Sequence, residues 1–278
     1  MTLIEAIVLG VVQGATEYLP VSSSGHLVLV PMALGFDKAP FAFDVLVQLG
    51  TLVGVVVYYF SDLTQVARDM VRSLVERRPF STPAARFGWL VGLATIPAAV
   101  IGVLLKDLFE AAFGSARATS GFLLVTAVLL VVGELVGARR ARGAPARDTS
   151  ELRLSDALVV GLAQAGALFP GVSRSGSTIA AGMMMGLSRE AAARFSFVMS
   201  IPVMVGAGVL TAKDLVEDSA ALEALLAPTA VGFVVAGVTG YLVIKWFLGF
   251  VRGQSLLWFA AYCAVVGVVG LALVPAGA

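Results

Sequence analysis

The sequence predicts an all-α polytopic membrane protein built from two inverted-topology repeats, and three observations carry that prediction. Of 278 residues, 59% are hydrophobic and 13% charged, about half the charged share of a soluble domain. Mean hydropathy is +0.95, the value expected when spans of about 20 residues and short loops use up most of a chain. The chain also matches itself. Shifted by 151 positions, Leu3, Ala6, Val8, Gly10, Gln13, Val21, Ser22, Ser24 and Gly25 meet identical residues at Leu154, Ala157, Val159, Gly161, Gln164, Val172, Ser173, Ser175 and Gly176.

Polar and Pro/Gly breaks divide the chain into ten apolar helical segments, roughly 3–19, 21–35, 42–60, 87–105, 119–137, 154–168, 172–187, 195–211, 228–248 and 256–274. The first two of each half are short, and Pro/Gly/Ser-rich breaks join them, at Pro20 to Gly25 and at Pro170 to Gly176. Such pairs predict two re-entrant helix pairs, leaving six full spans. Repeat one then covers 1–138, a basic linker 139–153, and repeat two 154–278. No Lys or Arg precedes Lys38, and Glu5 and Glu17 interrupt the first apolar run. The first helix is therefore expected as retained structure and not as a signal peptide.

Orientation follows from the basic residues. Arg68, Arg72, Arg77, Arg78 and Arg86 mark one loop as cytoplasmic, and Arg139, Arg140, Arg142, Arg147 and Arg153 another, with two spans between them. Alternation then puts Arg189, Arg194, Lys245 and Arg252 inside. Lys38, Lys106, Arg117 and Lys213 fall outside, the last in a loop with Asp214, Glu217, Asp218 and Glu223. Both termini lie outside, and the halves are inverted. The arginines of the two basic loops are expected to anchor against anionic lipid.

A net charge of +1 without a clustered basic face outside the membrane argues against nucleic-acid binding. The single cysteine, Cys263, excludes an intramolecular disulfide and any multi-cysteine metal site. It reads as core filler.

In the first hairpin, Gln13 and Glu17 stand four apart and share a helix face with Gly10 and Gly14. An ionisable group inside a bilayer is expensive and usually faces a polar interior. After Pro20 come Ser22, Ser23 and Ser24, then His26, the only histidine. Imidazole can attack or shuttle protons, and a serine needs a nearby base. The second hairpin runs through Pro170, Gly171, Ser173, Arg174, Ser175, Ser177 and Thr178. A helix N-terminus behind a Pro-Gly break attracts anions, and a guanidinium matches phosphate oxygens. The repeats diverge here: Ser23 aligns with Arg174, His26 with Ser177 and Glu17 with Leu168. One tip keeps acid-base groups while the other supplies a cation, so meeting at mid-membrane they would form one composite phosphate site. Gln48, which shares a face with Asp44, is expected to line the same cavity, and Glu134 to pair near a basic loop.

At these residues the chain resembles the bacterial undecaprenyl-diphosphate phosphatase family of the bacitracin-resistance type, over essentially its whole length. Gln13 to Glu17 fits the first motif, Glu or Gln, three residues, then Glu. P-V-S-S-x-G-H follows at Pro20 to His26, and P-G-x-S-R-S-x-x-T stands at Pro170 to Thr178. The resemblance implies hydrolysis of undecaprenyl diphosphate to the monophosphate carrier and inorganic phosphate, recycling the carrier for peptidoglycan synthesis. It further implies a divalent cation, Mg²⁺ or Ca²⁺, near Glu17 and Gln13, where a Gln is the weaker ligand. Glu17, His26, Ser23 and Arg174 would be catalytic, with His26 or Ser23 the attacking or activating group. Ser22, Ser173, Ser175, Thr178 and Gln48 would bind substrate.

The implied setting is the bacterial inner membrane, with the site opening to the outer face. The expected partners are a polyprenyl diphosphate and membrane lipids, with room for a homo-oligomer. Two other readings compete. Inverted repeats with broken helices also build carriers, so a lipid-phosphate flippase or anion transporter stays open. The acid phosphatase superfamily has similar short motifs, but it needs a second histidine downstream, which this chain lacks.

Overall fold

In the computed structural model the described residues are 1–37, 39–105, 108, 115–217 and 219–274, with backbone alone for 212–217 and 219–225. Eleven α-helices order them: α1 (Leu3–Thr16), α2 (Ser23–Leu34), α3 (Phe41–Tyr58), α4 (Phe60–Val75), α5 (Pro83–Leu104), α6 (Ala116–Gly143), α7 (Leu154–Gly166), α8 (Arg174–Met184), α9 (Arg189–Glu217), α10 (Ser219–Gly253) and α11 (Leu257–Leu273). The protein is an all-α polytopic membrane protein. Five helices are long and apolar enough to cross a bilayer, at Phe41–Tyr58, Pro83–Leu104, Ala116–Gly143, Arg189–Thr211 and Leu226–Gly253. The sixth expected span is α11, whose 17 residues rise about 26 Å at 1.5 Å per residue, slightly under a hydrocarbon core of about 30 Å. At 14, 12, 13 and 11 residues, α1, α2, α7 and α8 are shorter still.

Packing crosses between the halves. Helix α1 lies along α10, while α7 lies along α5. Both contacts depend on glycines that the self-match pairs. A Cβ on Gly10 would stand 2.8 Å from the Gly232 carbonyl oxygen, and one on Gly161 2.6 Å from that of Ala94. Small residues let helix backbones approach in this way. Local bonds recur too. Glu5 accepts from the Thr2 N–H at 2.7 Å and Asp156 from the Arg153 N–H at 2.8 Å, each carboxylate reaching back to its helix's cap residue.

Three expectations are corrected. Residues 61–86, read as a loop, contain α4. Its polar residues Ser61, Gln65, Arg68 and Arg72 hide it from hydropathy, yet Leu63, Val66 and Met70 recur at helical spacing. Met70 and Val66 pack on Gly88 of α5, and Trp89 Nε1 donates to Ser73 Oγ at 3.0 Å. The outer loop expected at 212–227 is largely helical backbone, since α9 runs to Glu217 and α10 begins at Ser219. Its Ala, Leu and Glu residues are strong helix formers. The side chains of Lys213 to Glu223, and all of Lys38 and Lys106, lie outside the described residues.

In the basic linker Arg147 does not face lipid. It grips Asp156 with two bonds of 2.6 and 2.9 Å and the Met185 carbonyl at 2.7 Å. Its backbone bridges to Leu187. A fully buried carboxylate at position 156 requires such a partner, so the linker is pinned beneath the second hairpin.

Candidate active site

Each hairpin breaks in the same way. Helix α2 starts at Ser23 behind the cap residue Ser22, and α8 starts at Arg174 behind Ser173. The cap hydroxyls accept from Gly25 N at 3.2 Å and Gly176 N at 3.0 Å. In both hairpins the cap serine also bonds the serine two residues on, each pair at 3.2 Å. The turns themselves differ. Gly171 holds φ +97°, and a Cβ there would overlap the Thr119 carbonyl oxygen. Ser22 sits at φ 70°, ψ 95°, a conformation that costs a non-glycine residue of order 1–3 kcal/mol. Ser23 and Arg174, which the self-match aligns, therefore stand at two helix N-termini, where unpaired N–H groups favour anions.

Glu17 joins the two tips. Its carboxylate accepts from Gln13 Nε2 at 2.8 Å, Ser23 Oγ at 2.5 Å and Gln48 Nε2 at 3.4 Å. The Arg174 guanidinium completes the set through Nη2. Four donors match the roughly four lone-pair sites of a carboxylate. Glu17 is 4% exposed, while Ser23 and Arg174 are half-buried and so present the accessible hydroxyl and cation. Arg174 is further aligned by the Ser196 carbonyl at 3.4 Å.

His26 is close in sequence but turned elsewhere. Its Nδ1 lies 2.7 Å from the Ser22 carbonyl oxygen and its Nε2 2.7 Å from the Tyr262 hydroxyl. A carbonyl only accepts, so in the neutral ring Nδ1 carries the hydrogen and Tyr262 donates to Nε2.

At the second tip the Ser173, Ser175 and Thr178 hydroxyls are engaged with protein, whereas the buried Ser177 hydroxyl has no hydrogen-bond partner among the described residues. Ser175 Oγ donates to the Leu19 carbonyl at 2.8 Å, which ties the second tip to the first. Thr178 Oγ1 bonds Ser196 Oγ at 2.7 Å and donates to the Arg174 carbonyl at 2.7 Å. Thr126 Oγ1 accepts from Ser173 N at 2.8 Å and donates to the Gly171 carbonyl at 2.9 Å.

Sequence reasoning did not single out Tyr262, Ser196 or Thr126. Ser196 had a signal. If one residue is inserted after the first hairpin, the self-match continues with Phe43 on Phe195, and Asp44 then falls on Ser196 and Gln48 on Ser200. Tyr262, 236 positions from His26, had none.

Among the described residues no three His, Cys, Asp or Glu side chains gather into a metal cage. Glu17 does sit among oxygen-bearing Gln13, Gln48 and Ser23. All four donors already occupy that carboxylate, so a cation would fit only where one of them gave way, with the amide oxygens of Gln13 and Gln48 turned toward it and phosphate oxygens and water as its remaining ligands.

The chain is similar over residues 6–269 to the family described as bacitracin resistance protein BacA. A Rubrobacter xylanophilus protein named undecaprenyl-diphosphatase is 47% identical over 94% of both chains. One from Methanosphaera stadtmanae with the same name is 40% identical over 98% of both. Streptomyces coelicolor undecaprenyl-diphosphatase 2 is 40% identical over all of this chain and 96% of its own. Similarity of that depth, over that length and through both tips, places the chain in the bacitracin resistance protein BacA family.

Proposed function

We propose that this protein is an undecaprenyl-diphosphate phosphatase, releasing inorganic phosphate and returning the monophosphate carrier for cell-wall synthesis. The observation that carries the reading is the accessible Ser23 hydroxyl donating to Glu17 at 2.5 Å with Arg174 on the same carboxylate. Ser23 is the better nucleophile of the two candidates, because both His26 nitrogens are engaged. Its oxygen attacks the terminal phosphorus, its proton passes to Glu17 and from there to the bridging oxygen, which leaves with the carrier monophosphate. Water then attacks the phosphoserine, Glu17 taking its proton and returning it to the Ser23 oxygen as the Ser23–phosphorus bond breaks.

Arg174 and the two helix N-termini face the charge that develops on phosphate. Gln13 and Gln48 orient Glu17. Ser22, Ser173, Ser175 and Thr178 would serve substrate binding indirectly, their hydroxyls shaping the two turns whose N–H groups face the phosphate. His26, three residues after Ser23, would serve in proton transfer by exchanging its Tyr262 partner for the substrate. Glu17 and Gln13 would hold Mg²⁺ or Ca²⁺, which when bound adds positive charge at the diphosphate.

Purified protein should release one phosphate per undecaprenyl diphosphate, and Ser23→Ala should lose at least about a thousandfold in kcat. Binding without phosphate release would favour the lipid-phosphate carrier instead.

The two halves enter the inner membrane of a bacterium from opposite faces, with the site open to the outer one. Fourteen basic residues against four support that orientation. Cysteines introduced at 214–223 in a Cys263→Ser background should react with an impermeant thiol reagent, and those at 139–142 should not. The reverse pattern would overturn it.

A further inference from the structure

An open groove of about 650 Å³, lined among others by Leu19, Val21, Trp246, Phe250, Trp258 and Tyr262, runs beside the first hairpin tip. It is not the Glu17 cluster. Of its polar lining groups, the Thr16 hydroxyl is bonded to the Val12 carbonyl at 2.7 Å and the Tyr262 hydroxyl to His26, which leaves the exposed Gln254 side chain. What remains facing the groove is largely aromatic and aliphatic surface. Trp246 is 54% exposed and Trp258 69%.

The groove is continuous with the site by covalent neighbourhood and by hydrogen bonds. Leu19 and Val21 flank Pro20, immediately before Ser22 and Ser23. The Leu19 carbonyl takes the Ser175 hydroxyl, one residue from Arg174. Tyr262 forms the wall and touches His26.

We propose that this groove seats the first isoprenoid units of the lipid substrate, next to the diphosphate held between the tips. The proposal rests on the phosphatase reading. An amphiphile whose charged end is fixed at Arg174 must send its hydrocarbon out along an apolar path, and the groove starts within two residues of Ser23. Flat aromatic faces suit a chain of planar double bonds with projecting methyl groups, and the volume falls in the range of ligand pockets. The rest of the tail would lie in the bilayer.

The test compares undecaprenyl diphosphate with methyl diphosphate, a short substrate that carries no isoprenoid unit. In Phe250→Ala/Trp258→Ala, KM for the long substrate should rise about tenfold or more with kcat little changed, while the short substrate is unaffected. Ala15→Phe, which fills the groove from α1, should give the same pattern and decides the matter if the double variant does not purify. Equal effects on both substrates, or none on either, would overturn the groove assignment. A wild-type protein that hydrolyses neither substrate would instead sink the phosphatase reading.

Discussion

The Tyr262 hydroxyl meets His26 Nε2 at 2.7 Å, with the two rings within 6° of parallel. It brings the last helix to the first hairpin. Tyr262→Phe keeps the ring and removes the donor, so its kcat should fall less than about tenfold, whereas His26→Ala should lose about a hundredfold. Phosphate-release assays on both variants check this. Equal losses would mean that the hydroxyl acts in the chemistry itself.

Glu17 and Arg174 pair a buried carboxylate with a partly buried guanidinium, their side chains 3% and 16% exposed. Removing either one leaves an uncompensated charge, worth about 3–5 kcal/mol of stability. Glu17→Gln and Arg174→Ala should each unfold at lower temperature than the parent and be at least about a hundredfold slower. The double variant Glu17→Gln/Arg174→Gln should regain most of the stability and none of the activity. Thermal melts in detergent measure this, and a double variant less stable than both singles would refute the coupling.

Glu134 is 5% exposed and clasps three helices. It takes two bonds from Arg189, at 2.8 and 2.6 Å, and one from Leu256 N at 2.6 Å. Glu134→Ala should cost about 2–3 kcal/mol through the stranded N–H and cation. Activity per folded molecule should be unchanged, as titrating folded protein against turnover would show.

Gly50 of α3 lies against the backbone of α10, where a Cβ would overlap the Phe233 carbonyl oxygen. Gly50→Val should therefore separate the two helices and abolish monodisperse elution. Gly92, where an added methyl group would meet nothing within 4 Å, is the control: Gly92→Ala should elute as the parent does.

Ten of the helices were legible because each is an apolar run bounded by Pro, Gly or charge, and the bilayer makes such runs conspicuous. Helix α4 was not. Its spacing 63, 66, 70 is helical, but Asp62, Arg68, Asp69 and Arg72 lower its hydropathy, and only α5 shows which face is buried. In the site, Glu17, Ser23 and Arg174 were legible as chemistry and their juxtaposition was inferred from the repeat. The partners that select among them were not. Ser196 is marked in the self-match only by lying opposite Asp44, and it holds Arg174 through a backbone carbonyl that this signal does not record, while Tyr262 reaches His26 through tertiary packing alone. Arg147 misled for the opposite reason, since a lone arginine among five looks like a lipid anchor until Asp156 is seen beneath it.

The four donors on Glu17 have a further meaning. At rest the site is charge-neutral and closed on itself, with the cation stored as the counter-ion of the carboxylate. An incoming ligand must compete for Arg174 against Glu17, so its negative charge decides the exchange. A diphosphate competes well. The monophosphate left on the carrier has less charge to offer, and the re-forming ion pair would help expel it. The same salt bridge that steadies the empty protein would thus act as a ratchet, admitting the substrate and turning out the product.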